Sequence, residues 1–481
     1  MRRDPLPDVY PAPAATTPGS FRVVLVSPYE LGRQPFALAH AAAWLKRAGM
    51  AVDCLDLSLQ KLDPNVLAGA QVVAFYLGMY TATRIAMEAL PRARALAPQA
   101  AFAAFGLYAP VNESLLRALG VAAVFGGESE PDLLAWAQTL RAGHVAPRPT
   151  RVHTGRIEFL LPDRSGLPPL ARYAHLVLPD GGRRTVGFVE TTRGCKHLCR
   201  HCPVVPVYQG RFRAVPLPVV MADIEQQVAM GAEHISFTDH DFLNGPSHAL
   251  RVVRAMHARF PSLSFDATIK IEHLIRHAEV LPLLKAAGCA FVISAVESVD
   301  DRVLAHLAKN HTRADFVRAV ESLRTIGLPL APTWVAFHPW STLEGYLDLL
   351  KTLVELRLVE AVPPVQLAIR LLVPAGSRLM ELPELAQRLG PFDARLLGHP
   401  WHHADCRVDR LQQEVERLAA AGEQAGLPRR AIFETIWQAA HRALGRAAPS
   451  LAGRDLGAPI PHLSEPWYCC AEPTAKQLQS F

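Results

Sequence analysis

Three cysteines fall within the stretch "TTRGCKHLCRHCPV": Cys195, Cys199 and Cys202, spaced Cys-x3-Cys-x2-Cys. Thiolates that close in sequence can wrap one face of an iron–sulfur cubane, which ordinarily takes four cysteine ligands. Three local ligands leave one iron free for another group. A structural zinc site would ask for a second closely spaced pair, and Cys289 and Cys406 stand alone. Two more soft nucleophiles, Cys469 and Cys470, lie side by side in "EPWYCCAEP". Adjacent Cα atoms are about 3.8 Å apart, short of the roughly 4.4–6.8 Å of an ordinary disulfide. The pair is therefore expected as free thiols, suited to a soft ion, a redox step or covalent capture. Cys406, in "HHADCRVD", is a candidate third soft ligand.

The chain that must position these groups has 481 residues, enough for two or three domains. Residues 1–20 are rich in Pro and Ala and read as a disordered arm rather than a signal peptide. Residues 21–145 alternate short apolar runs ("FRVVLVSP", "AVDCLDL", "QVVAFYL", "AAFAAFG", "VAAVFGG") with helical stripes. That rhythm predicts an α/β, doubly wound, Rossmann-like domain with a parallel sheet. Loops at the carboxyl ends of such strands form a crevice for a cofactor. Residues 146–180 read as a Pro/Arg/Gly-rich linker.

A second strand–helix series fills 181–380, with strands expected at "TVGFVETTRGC", "HISFTDHDF", "LSFDATIK", "AFVISAVES", "LAPTWVAFHP" and "VQLAIRLLVP". Six steps predict a partial (β/α)6 barrel of the TIM type. The three-cysteine motif would then sit on a loop at the end of its first strand. Residues 381–481 read as mainly helical, with Ile432, Ile436 and Ala440 on one face, and end in the Cys-Cys tail. Lys270, at the end of the third barrel strand, is expected to be solvated.

Half the residues are hydrophobic and a fifth charged, with net charge +6 and no long basic run. Charge gives no argument for nucleic-acid binding. No apolar stretch approaches membrane length. A cytoplasmic protein with a small-molecule substrate is expected.

The Cys-x3-Cys-x2-Cys motif after a first strand resembles the radical S-adenosylmethionine (radical SAM) superfamily. The resemblance implies a [4Fe–4S] cluster on Cys195, Cys199 and Cys202, S-adenosylmethionine (SAM) on the free iron, and a low-potential flavodoxin- or ferredoxin-type electron donor. His201 stands where that family often has an aromatic residue. By the same resemblance, Thr238, Asp239 and Asp241 in "SFTDHDF" would meet the SAM amino group. Ser294, Glu297 and Ser298 in "ISAVES" would meet its ribose or methionyl end. A doubly wound domain before the barrel resembles the cobalamin-binding class of the superfamily. "GGESE" matches the segment that closes that domain's last strand, so Gly126 and Gly127 are candidates for a cobalamin contact. The tail resembles that of the CUAEP/CCAEP-tail radical SAM proteins, where selenocysteine can replace one of the pair.

Together these imply cleavage of SAM and transfer of a derived group, such as 3-amino-3-carboxypropyl, to a thiophilic acceptor held by Cys469 and Cys470. Trivalent arsenic is the leading acceptor, in organoarsenical or specialised-metabolite biosynthesis. Two alternatives stand beside it: cobalamin-dependent methylation, and a non-catalytic iron–sulfur or thiophilic-metal binding protein.

Overall fold

The computed structural model describes residues 21–144 and 148–465. The first sheet holds β1 (Arg22–Ser27), β2 (Ala51–Asp56), β3 (Val72–Tyr76), β4 (Ala101–Phe105), β5 (Ala123–Gly127) and β6 (Thr150–His153). Its order is β2-β1-β3-β4-β5-β6, and every pairing is parallel. Helices cover both faces, so the central strands read as unbroken apolar runs; Val23 to Val26 are fully buried. The order reverses between β1 and β3, which makes a switch point where the following loops diverge.

β6 lies inside the segment expected as a linker. It has four residues, three of them exposed, so it carries no apolar alternation to read. The same segment holds Arg164, 2% exposed, paired with Asp223 through two contacts of 2.8 Å. The Arg164 guanidinium also donates to Gln34 and to the Phe188 carbonyl.

The second sheet is built from β7 (His175–Val177), β8 (Arg183–Val189), β11 (His234–Phe237), β12 (Ser264–Thr268), β13 (Cys289–Glu297), β14 (Leu330–Trp334) and β15 (His462–Leu463); β9 (Thr192–Gly194) and β10 (Phe212–Ala214) form a small hairpin. β8, β11, β12, β13 and β14 are parallel neighbours, each followed by helix, and form an open barrel wall. The expected sixth strand is reduced to one parallel bridge between Phe337 and Arg370. Pro363 and Pro364 begin a 3-10 turn there, and prolines offer no N–H to a ladder.

The helices Cys406–Gln424 and Arg429–Ala443 close the barrel's open side, with Ile432, Ile436 and Ala440 buried as their spacing predicts. The chain then returns to the barrel sheet, where β15 pairs antiparallel with β7. Among the described residues, no helix is long and apolar enough to cross a membrane.

Candidate functional site

The carboxyl ends of both sheets face one cavity, enclosing about 270 Å³. The loops after β1, β3, β4 and β5 supply Glu30, Met79, Leu107 and Gly127; the barrel supplies the three cysteines. Cys195 and Cys199 are buried, and Cys202 is half-buried. The loop that carries them is tied down on several sides. Cys195 N–H donates to the Arg211 carbonyl and Lys196 N–H to Asn244 Oδ1; Arg200 N–H donates to the Leu307 carbonyl. Burial pushes the Cys195 thiol up to about 12, so that thiolate needs a metal to offset its charge. Three sulfur donors on one short loop, facing the cavity between the two sheets, fit an iron–sulfur cluster with one open iron.

Two histidines of the same loop are held from below. His197 Nε2 lies 3.0 Å from Asp241 Oδ2, which His273 Nδ1 also approaches at 2.7 Å. Burial alone would raise Asp241, yet the two imidazoles outweigh it and hold the carboxyl near 2. His201 Nε2 lies 3.1 Å from Glu297 Oε1, and Lys309 Nζ lies 3.3 Å from the same oxygen. Burial likewise opposes ionisation of Glu297, and Lys309 and His201 outweigh it, so its pKa is about 2. Glu297 has φ 71° at a register shift against β14, and Ala308 and Asn310, flanking Lys309, have φ 53° and 57°. Left-handed backbone at non-glycine residues costs on the order of 1–3 kcal/mol each. Here it brings one carboxylate and one ammonium to the cluster loop.

Thr238, Asp239, Asp241 and Glu297 all line the cavity. The two aspartates are already engaged: Asp239 accepts from the Thr191 N–H and hydroxyl and from the Thr192 hydroxyl, and Asp241 carries the two histidines. Ser294 is fully buried, its Oγ without a partner among the described residues. Ser298 accepts from the Asp300 N–H and faces a neighbouring cavity on the far side of Glu297. Gly127 lines the main cavity, but a Cβ there would meet the His153 carbonyl at 2.1 Å, and one on Gly126 would meet Pro110 at 2.5 Å. Packing against the protein itself accounts for both glycines. Cys469 and Cys470 lie outside the described residues, and Cys406 is exposed at a helix start.

Lys270 is a correction. It is 7% exposed and lines the cavity, because its ammonium folds inward to Glu272 at 3.0 Å and His197 at 3.3 Å. Sequence reasoning also missed His240, Lys309 and Arg193. His240 lines the cavity from an exposed position. Arg193, on β9, joins the two halves of the molecule. Its guanidinium lies 2.6 Å from Glu190, 3.0 Å from Glu128 and 2.8 Å from Glu130. His40 Nδ1 sits 2.7 Å from Glu130, and Phe36 and Phe159 cover the guanidinium. The acidic residues of "GGESE" are thus anchors for the strand that leads into the cysteine loop.

Residues 189–350 match the Radical SAM superfamily. A threonylcarbamoyladenosine tRNA methylthiotransferase, MtaB, from Rickettsia prowazekii is 25% identical over 32% of this chain and 38% of its own length. The ribosomal protein uS12 methylthiotransferase RimO of Methylococcus capsulatus is 25% identical over 40% and 48%. The chain thus spans less than half of these curated relatives. Among solved structures, the radical SAM methyltransferase TsrM from Kitasatospora setae, with tryptophan and a SAM analogue bound, aligns with TM-score 0.57, 19% identity and coverage of 70% and 71%. The cobalamin-dependent SAM radical enzyme OxsB aligns with TM-score 0.64 and 13% identity over 82% of this chain and 66% of that one. Residues 189–350 match a radical SAM domain, and the chain as a whole shares its fold with TsrM and OxsB.

Proposed function

We propose that the protein is a radical SAM transferase that moves a SAM-derived group, 3-amino-3-carboxypropyl, to a thiophilic acceptor such as trivalent arsenic. Cys195, Cys199 and Cys202 would hold a [4Fe–4S] cluster, and SAM would lie in the cavity against Thr238 and the Glu297 loop. The cluster, when bound, supplies the single electron that breaks a carbon–sulfur bond of the sulfonium. The protein's part is orientation and exclusion of water, and the cavity between the two sheets gives SAM a site beside the cysteine loop.

The observation that carries the acceptor reading is the position of Glu465. The Tyr29 hydroxyl donates to its carboxylate, and Ser464 is bonded to His175. Glu465 rests on Gly32, where a Cβ would meet its Oε2 at 2.6 Å. Gly32 has φ 65° and lies between the cavity-lining residues Leu31 and Arg33. Cys469 follows four residues later, and four residues of chain span at most about 14 Å. Cys469 and Cys470 lie outside the described residues, and delivery of the vicinal thiols to the cavity is part of this proposal. Two adjacent thiolates are a soft donor pair matched to a thiophilic ion.

The test is anaerobic turnover of reconstituted, reduced protein with SAM and arsenite, comparing wild type with Cys469→Ser and Cys470→Ser. The reading expects an arsenic-containing amino acid from wild type, and SAM cleavage without that product from both variants. Unchanged product from the variants would sink the acceptor role.

A second reading, cobalamin-dependent methylation, is favoured by the switch point between β1 and β3 opening onto the cavity. It expects a corrinoid to copurify and S-adenosylhomocysteine to form.

A further inference from the structure

We propose that Lys270 and Lys309 set the reduction potential of the iron–sulfur cluster assigned above to the three cysteines, an inference that rests on that assignment. The cysteine loop carries one histidine in each interval, His197 and His201. Each meets an ammonium–carboxylate pair whose lysine is buried. Lys270 Nζ lies 3.3 Å from His197 Nδ1 and 3.0 Å from Glu272. Lys309 Nζ lies 3.3 Å from the Glu297 oxygen that His201 approaches. The lysines are 7% and 3% exposed, and both line the cavity with the cysteines. Lysines this buried are almost always paired, as both are here. In the second pair Glu297 itself is in left-handed backbone, as are Ala308 and Asn310 on either side of Lys309.

Charge supplies the reason for such an arrangement. Reduction adds one electron, from an external low-potential donor, to a cluster already held by three thiolates. No proton or bond changes hands. A cation fixed nearby in a medium of low dielectric favours the more negative, reduced form. The carboxylate beside each lysine acts in the opposite sense. Lys270 and Lys309 are therefore positioning charges, and removing a lysine or its partner shifts the potential in opposite directions.

The experiment uses full-length protein, reconstituted anaerobically, and measures iron per chain and the midpoint of an EPR-monitored redox titration. Lys270→Met and Lys309→Met are expected to lower the reduced fraction at a fixed potential about tenfold each, equivalent to about 59 mV for one electron. Glu272→Gln is expected to raise it, and Lys270→Arg and Lys309→Arg to restore the wild-type value. A purely structural role would lower the iron content and leave the midpoint of the remaining clusters where it was; that result overturns the proposal. So do lysine and glutamate variants that shift the midpoint in the same direction. Wild-type protein that assembles no cluster overturns the underlying assignment instead, and it does so before any variant is compared.

Discussion

Replacing Arg193 with Met removes the cation that Glu128, Glu130 and Glu190 share, and its cost can be worked from the contacts. Arg193 is 8% exposed at its side chain, Glu128 is fully buried, and Glu130 is 5% exposed. At about 4 Å and an effective dielectric near 20, one unit-charge pair attracts by about 4 kcal/mol before desolvation. Three such contacts do not add, because the guanidinium is desolvated once and Glu190, at the cavity wall, can take a proton. Burial does raise Glu190, to about 8. Removing one partner of a buried pair typically costs about 3–5 kcal/mol, and that range is expected for Arg193→Met in urea denaturation at pH 7. The abandoned carboxylates would have raised folded pKa values. The variant's deficit should therefore shrink as pH falls from 7 towards 5 and protons neutralise them. Combined with Glu130→Gln, the double variant should lose less than the sum of the singles, by about 0.5–3 kcal/mol. A loss below about 1 kcal/mol for Arg193→Met, or a deficit that grows in acid, would refute this account of the domain junction.

Glu297→Gln should destabilise by about 3–5 kcal/mol, since it leaves Lys309 buried without its anion. The folded pKa of Glu297 lies near 2, below the ordinary 4.5. Its contribution is thus fully present above about pH 4.5 and lost as pH falls towards 2, which denaturation curves at pH 5.5 and 3 would register. Glu30 behaves in the opposite sense: burial raises it to about 8, so its carboxyl should remain protonated at pH 7. Infrared difference spectra between wild type and Glu30→Gln should contain a protonated-carboxyl band at neutral pH. Stability tied to Glu30 is full below pH 4.5 and declines up to about pH 8, and Glu30→Gln should flatten that decline.

The parallel strands were legible because each is short, apolar throughout and bounded by turn residues, as in "FRVVLVSP" and "QVVAFYL". The cysteine spacing was legible because ligands of one metal group lie close in sequence. What escaped was long-range. Arg193 meets Glu128 across 65 residues, and Lys309 meets Glu297 around a helix and two left-handed residues. Neither pairing leaves a local pattern. Lys270 looked like a solvated strand end, and only the fold brings His197 over it. The acids of "SFTDHDF" stood out as ligand contacts, yet much of their capacity goes to Thr191, Thr192, His197 and His273. The sixth barrel strand failed at Pro363 and Pro364, a pair whose missing donors outweigh the apolar run that follows.

The measurement that bears most directly on the central claim is the fate of SAM itself. Reconstituted wild-type protein, reduced anaerobically and supplied with SAM and arsenite, would be quenched and its nucleosides separated. The account predicts methylthioadenosine, the co-product of 3-amino-3-carboxypropyl transfer, and its loss in a Cys195→Ala, Cys199→Ala, Cys202→Ala variant. 5′-Deoxyadenosine as the sole product would contradict the transfer, and SAM recovered intact would contradict the enzyme.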